Sequence, residues 1–231
     1  MLDLSLSVKT SEFRDNDRGS GDADRAFQGV RLVVLSRDRY TCQGCGLQTR
    51  GVDGKSGYFE VHHVDDDHHN NHPDNLATVC PFCHSTKHFA LAHIQDRGFF
   101  VPARDVSQRT LNRIMMVLWF ETLVRDRDLE SCRVDLKRWI EEGRKMMAIA
   151  PAYRDLADGA ALGNRVLEMA AAGPGKAAAL EGLRTRLKTV LLVPNLDNPL
   201  YQKATRYWSQ TLSAAWTPAR VARHIAGEGD Q

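Results

Sequence analysis

Four of the chain's five cysteines fall into two Cys-x-x-Cys pairs, Cys42/Cys45 and Cys80/Cys83, with 34 residues between the pairs. A cysteine thiolate is a strong zinc ligand, and a Cys-x-x-Cys turn sets two sulfurs about one ligand bite apart. Four sulfurs complete a tetrahedron and leave no coordination position for a substrate, so the chemistry expected of this set is structural zinc binding. In a reducing compartment the same spacing points to metal and not to disulfides. Gly46, directly after Cys45, suits a tight knuckle in which backbone N–H groups approach sulfur. Cys80 and Cys83 stand at the expected entrance to a helix, whose N-terminal dipole favours ionised sulfur. The fifth, Cys132, lies in an apolar-periodic stretch with Leu129, Leu136 and Trp139 and is read as a core residue.

A second constellation overlaps the first. The stretch VHHVDDDHHNNHPDNLATVCPFCHSTKH, residues 61–88, holds seven of the nine histidines. His84 and His88 are one helical turn apart and offer two imidazoles to one divalent ion. His62 and His63 are adjacent on an expected strand, so only one of them faces that helix unless the strand is bulged. Asn75 lies in the connection between strand and helix. His68, His69 and His72, with Asp65, Asp66, Asp67, Asn70 and Asn71, are expected to be solvated loop side chains.

These residues need elements to position them. Residues 1–25 suggest a short strand or arm (Leu2, Leu4, Leu6, Val8) followed by a flexible polar segment. AFQGVRLVVLSR, 26–37, suggests a short helix or strand leading into the first knuckle. YFEVHHV has the β-branched and aromatic content of a strand, and DDDHHNNHPDN reads as a loop. The second knuckle should open a helix over 84–93. From about Ser107 apolar residues recur at helical spacing. Leu111, Ile114, Met115, Leu118, Trp119 and Thr122 form one stripe behind a Ser107 N-cap. Further stripes run through 129–147, through Leu180, Leu183, Leu187, Val190 and Leu191, and through Tyr201, Ala204, Trp208, Thr211, Leu212 and Ala215. Thr217 and Pro218 open a last short helix, and AAGPGK, 171–176, is a linker or turn.

Composition narrows the partners. With 42% hydrophobic and 26% charged residues the chain is ordinary for a globular protein. It has neither an apolar run long enough to span a membrane nor a secretory leader pattern, so it is expected in the cytoplasm, reaching the inner membrane only through partners. The net charge of +2 is uneven: residues 1–105 carry 12 Lys and Arg against 15 Asp and Glu, and residues 106–231 carry 19 against 14. The metal-rich part is acidic, which disfavours non-specific duplex binding.

RDRYTCQGCG, then EVHHV, then DNLATVCPFCHSTKH resembles the HNH (His-Me finger) nuclease superfamily over roughly residues 37–88. Carried over, the resemblance makes His63 a general base that takes a proton from water. His62 and His84, with His88 as in the colicin-type nucleases, would hold a second divalent metal, and Asn75 would pin the loop that orients the base. CPFCHSTKHFALA followed by GFFVPARDVSQRTLNRIMMVLWFETL resembles the IcmJ/DotN family of type IVB secretion and related conjugation systems, over about residues 26–124. That resemblance implies a cytoplasmic adaptor bound to the ATPase coupling protein and associated secretion-complex subunits, with the finger serving as structure.

The expected fold is therefore α+β: an HNH-like treble-clef zinc finger (ββα) followed by an all-helical C-terminal region. The expected segments are an arm (1–25), the finger (26–105) and a helical domain (106–231). The expected function is a zinc-binding adaptor in a type IV coupling complex that is not itself an enzyme. The alternative is a metal-dependent HNH endonuclease or nickase acting on DNA.

Overall fold

A computed structural model of the chain describes residues 1–7, 21–51, 55–67, 70–104, 106–123, 130–171 and 177–226. Helix α1 (Gly21–Arg37) leads into the first knuckle. Strands β1 (Glu60–His63) and β2 (Leu76–Val79) form an antiparallel hairpin that pairs Glu60 with Val79, Val61 with Thr78, His62 with Ala77 and His63 with Leu76. Pro73–Asn75 make one 3-10 turn inside its connection. Pro81–Lys87 form α2 and Phe89–Ile94 form α3. The expected single helix over 84–93 thus starts three residues earlier and is broken at His88, whose φ of −127° and ψ of 47° are not helical. Pro81 explains the early start: its fixed φ and missing N–H suit the first helical position behind Cys80.

After strand β3 (Gly98–Pro102) come α4 (Gln108–Leu123) and α5 (Glu130–Ile149), then the short α6 (Arg154–Ala157), α7 (Gly159–Ala171) and α8 (Ala177–Leu187). Strand β4 (Val190–Pro194), α9 (Pro199–Thr211) and α10 (Pro218–Ile225) complete the order. The caps expected at Ser107 and Thr217 are present: Ser107 Oγ accepts from the Thr110 amide at 3.1 Å, and Thr217 Oγ1 from the Arg220 amide at 3.2 Å.

Among the described residues the C-terminal region is helical apart from one strand. The stripe expected to continue from Leu187 through Leu191 as a helix ends at Leu187, and Val190 and Leu191 enter β4 instead. VLLVP is a short apolar run closed by proline, and periodicity alone does not separate such a run from a helix. Its antiparallel partner is β3, which pairs Gly98 with Pro194 and Pro102 with Val190. The first helix also begins at Gly21, inside the segment expected to be a polar arm; Ala23, Arg25 and Ala26 are good helix formers. Val8, Leu129, the linker after Ala171, His68 and His69 lie outside the described residues, as do the side chains of Thr122 and Cys132.

The largest core joins the knuckles to the C-terminal helices: Leu47, Phe59, Phe82 and the four cysteines pack with Met116, Trp119, Phe120, Tyr201, Trp208 and Trp216. A second core gathers Phe89, Ala92 and Phe100 with Leu156, Leu162, Val166 and Leu187. Here α3 lies on α7, and His93 is part of the contact. Its Nδ1 donates to the Phe89 carbonyl at 2.9 Å, its ring sits 4.2 Å from that of Phe100, and its buried Nε2 has no partner among the described residues. Any Cβ at Gly159 would overlap the ring, so glycine is required there.

Burial holds the His93 pKa below its ordinary 6.5, outweighing the Phe89 carbonyl and Asp158, which favour the charged form. Above pH 6.5 the ring is neutral in folded and unfolded chains alike. Below it the unfolded chain takes up a proton that the folded chain resists, so stability falls on acidification, by up to about 1.4 kcal/mol per pH unit. Thermal melts between pH 7.5 and 5.5 should show this fall, and His93→Gln should flatten it.

Candidate metal centre

The first knuckle turns because the Gly46 amide reaches the Cys42 carbonyl at 2.9 Å with Gly46 at a φ of +83°, a conformation that favours glycine. Cys80 caps α2, and Cys83 follows on its first turn. All four cysteines are buried, and their sulfurs lie within 4.8 Å of one another. Cys45 Sγ and Cys80 Sγ are 3.8 Å apart. Two sulfurs bound to one tetrahedral zinc at ~2.3 Å stand roughly 3.8 Å apart, so donor type, number and spacing fit such an ion.

N–H groups reach two of the sulfurs. Cys42 Sγ accepts from the amides of Cys80 (3.2 Å) and Cys45 (3.5 Å), and Cys83 Sγ from Asn112 Nδ2 (3.4 Å). Without a metal the thiols do not ionise alike. Burial opposes ionisation of Cys42, Cys80 and Cys83, yet hydrogen bonds from Cys45, Cys80 and Cys83 hold Cys42 well below the ordinary thiol value, while burial and the bonds to Cys42 push Cys80 and Cys83 well above it. From α4, Arg113 Nε donates to the Cys45 carbonyl at 2.8 Å and Arg109 Nη1 to the Gly44 carbonyl. Three residues on one face of α4 (109, 112 and 113) therefore hold the centre from outside the knuckles. Gly44 makes the approach of α2 feasible: a Cβ there would meet Cys83 Sγ at 2.8 Å and Leu4 Cδ2 at 2.9 Å.

Strand alternation separates the two adjacent histidines. His62 turns toward α2, where its ring centroid is 5.6 Å from that of His84 and 5.8 Å from that of His88, and those two rings are 4.5 Å apart. Each of the three offers a nitrogen within 4.8 Å of the other two, so they are placed to share one ion. Glu60, two residues before His62 and hence on the same strand face, contacts His84 Nδ1, leaving Nε2 for a ligand. Burial would raise the Glu60 pKa, but His84, with Arg97 and Arg31, brings it below the ordinary carboxylate value. A cavity of about 310 Å³ opens beside this cluster, lined in part by Arg31, Glu60, His84, His88 and Arg97.

His63 points the other way. It is 7% exposed, its ring stacks on Phe27 of α1 at 5.2 Å, and its Nε2 is 2.9 Å from Asn71 Oδ1. Asn75 ties the loop together: its Nδ2 donates to Asp65 Oδ1 (2.8 Å) and to the Asn70 carbonyl (2.9 Å), and its Oδ1 accepts from the Asp65 amide (3.1 Å). His72 is exposed. The structure thus brings His62, His84 and His88 together and keeps His63 apart from them.

Sequence reasoning passed over Glu60, although its period-two relation to His62 was there to read. Asn71 and Phe27 cover His63 and carried no local signal, and neither did Asn112, which is 29 residues from the cysteine it reaches.

Residues 42–90 match the HNH endonuclease family. Over 60 residues the chain is 40% identical to the Type 4 apparatus protein DotN of Legionella pneumophila subsp. pneumophila, a match spanning 26% of this chain and 25% of that protein. The chain thus aligns with about a quarter of the length of this relative. Both comparisons agree with the resemblance to HNH fingers and to the IcmJ/DotN family.

Proposed function

We propose that the chain is a zinc-stabilised adaptor in a type IV secretion or conjugation coupling complex, and that it binds the coupling ATPase. The identity with DotN carries this reading. The setting of His63 supports it: a base buried beneath Phe27, with its Nε2 engaged by Asn71, is not poised to take a proton from water beside the His62, His84 and His88 cluster. In this reading Cys42, Cys45, Cys80 and Cys83 hold zinc as a folding element. The finger, a treble clef in this reading, runs from α1 to about residue 105, and the residues after it form a helical body that presents basic side chains to the partner. The protein works in the cytoplasm, and among the described residues no helix is long and apolar enough to cross a membrane. Co-purification of the full chain with the coupling ATPase of the same gene cluster tests the proposal. A stable complex that survives the pair His62→Ala and His84→Ala is the expected result; no complex with that ATPase sinks it.

The cluster of His62, His84 and His88 favours a second reading, a metal-dependent HNH endonuclease or nickase. In it His62, His84 and His88 would hold a divalent ion, which would supply charge stabilisation at the leaving oxygen. His63 acts as general base once Phe27 and Asn71 give way, and Asn75 pins the loop. Incubation with plasmid DNA and Mg²⁺, Mn²⁺ or Ni²⁺ decides: nicking that disappears in His63→Ala supports this reading, and no cleavage above that control removes it.

A further inference from the structure

Residues 1–7 cross the four-cysteine centre without forming a regular element, and they are anchored at both ends. The Leu2 amide donates to the Gln43 carbonyl at 2.8 Å, inside the first knuckle, and the Leu2 carbonyl accepts from Arg109 Nη2 at 2.8 Å. The same guanidinium reaches the Gly44 carbonyl, so one arginine of α4 clamps segment and knuckle together. At the far end the Ser7 amide donates to the Thr86 carbonyl at 3.2 Å, Lys87 Nζ reaches the Ser5 carbonyl at 3.3 Å, and Ser7 Oγ reaches Asp66 Oδ2 at 3.2 Å.

Between these anchors Leu4 is 4% exposed and packs in the core that contains the cysteines. Its Cδ2 and Cys83 Sγ flank one point above Gly44, at 2.9 Å and 2.8 Å from where a Cβ would stand. Leu4 therefore closes the side of the centre on which Gly44 leaves a gap, next to Cys83. Leu6 belongs to the second core, so the segment also links the two cores.

A tetrathiolate zinc loses its metal when water, a proton or a competing ligand reaches zinc or sulfur, and a fully buried centre must open first. The cysteines otherwise share a core with Met116, Trp119 and Phe120 of α4 and with Tyr201 and Trp208 of α9, whose release needs cooperative unfolding. Residues 1–7 are held by a few hydrogen bonds and by Leu2, Leu4 and Leu6, and such segments open locally at lower cost. We propose that residues 1–7 are a strap whose local opening sets the rate at which zinc leaves the four-cysteine centre. The inference rests on the reading of that centre as a zinc site.

The test uses the zinc-loaded full chain with excess EDTA, following zinc release with a chromophoric indicator and measuring global unfolding in parallel. Leu4→Ala and deletion of residues 2–7 should each speed release by about tenfold or more while zinc per chain at rest stays at the wild-type value. Ser5→Ala should leave the rate unchanged, because its exposed hydroxyl donates to Asp3 of the same segment at 2.9 Å and reaches neither the knuckles nor α2 among the described residues. Wild-type release should also run faster than global unfolding, a comparison that stands even if the deletion variant does not fold. Release at the global unfolding rate, or Leu4→Ala at the wild-type rate, overturns the strap. A purified chain that carries no zinc overturns the strap and the zinc reading together.

Discussion

Cys80→Ala will not fold its finger at room temperature, with or without added zinc. In the zinc reading Cys80 supplies one of the four ligands, and its fully buried Sγ lies 3.8 Å from Cys45 Sγ. Structural zinc contributes roughly 10–16 kcal/mol of apparent binding energy in finger peptides, against a total stability of about 5–15 kcal/mol for a whole domain. Losing even half of the metal's contribution exceeds what the hairpin and two short helices supply. Circular dichroism should show reduced structure and no cooperative melt for the N-terminal half, and zinc per chain should fall from about one to none. EDTA treatment of the wild type should reproduce the loss and added zinc should reverse it. A Cys80→Ala chain melting within a few degrees of wild type would rule out a structural metal here.

Trp208→Ala should cost about 3–5 kcal/mol, the usual range for emptying a buried tryptophan site, and the damage should appear in the finger as well as in α9. Trp208 is fully buried, its indole N–H donates to the Gly57 carbonyl at 2.7 Å, and its ring lies 5.8 Å from that of Phe59 and 6.4 Å from that of Phe82. Phe82 sits inside the second knuckle and also stacks on Tyr201 at 4.3 Å. Alanine at 208 therefore removes one wall of the site that seats the knuckle. Chemical denaturation should show the lowered midpoint, and zinc release should quicken with it. A midpoint unchanged within error would mean that α9 does not support the finger.

The same contacts explain what was legible in the sequence and what was not. The cysteine pairs could be read because Cys-x-x-Cys brings two sulfurs together by local turn geometry alone. The divergence of His62 and His63 followed from the period of a strand, and the Ser107 and Thr217 caps from side-chain chemistry within three residues. Each of these depends on neighbours in the chain. The strand at 190–194 was missed for the complementary reason: VLLVP suits strand or helix, and only pairing with Gly98–Pro102 chooses.

By itself, then, the sequence determined the four-cysteine cluster, the hairpin between the knuckles and the helical character of most of the second half. These follow from spacing, periodicity and capping, which act over a few residues. Only the tertiary structure decided that Asn112 reaches Cys83, that Trp208 seats against Gly57 from 151 residues away, that Leu4 covers Gly44, and that Phe27 covers His63. Such contacts depend on which buried faces meet when the chain closes on itself. Close packing selects those faces, and no local pattern encodes them.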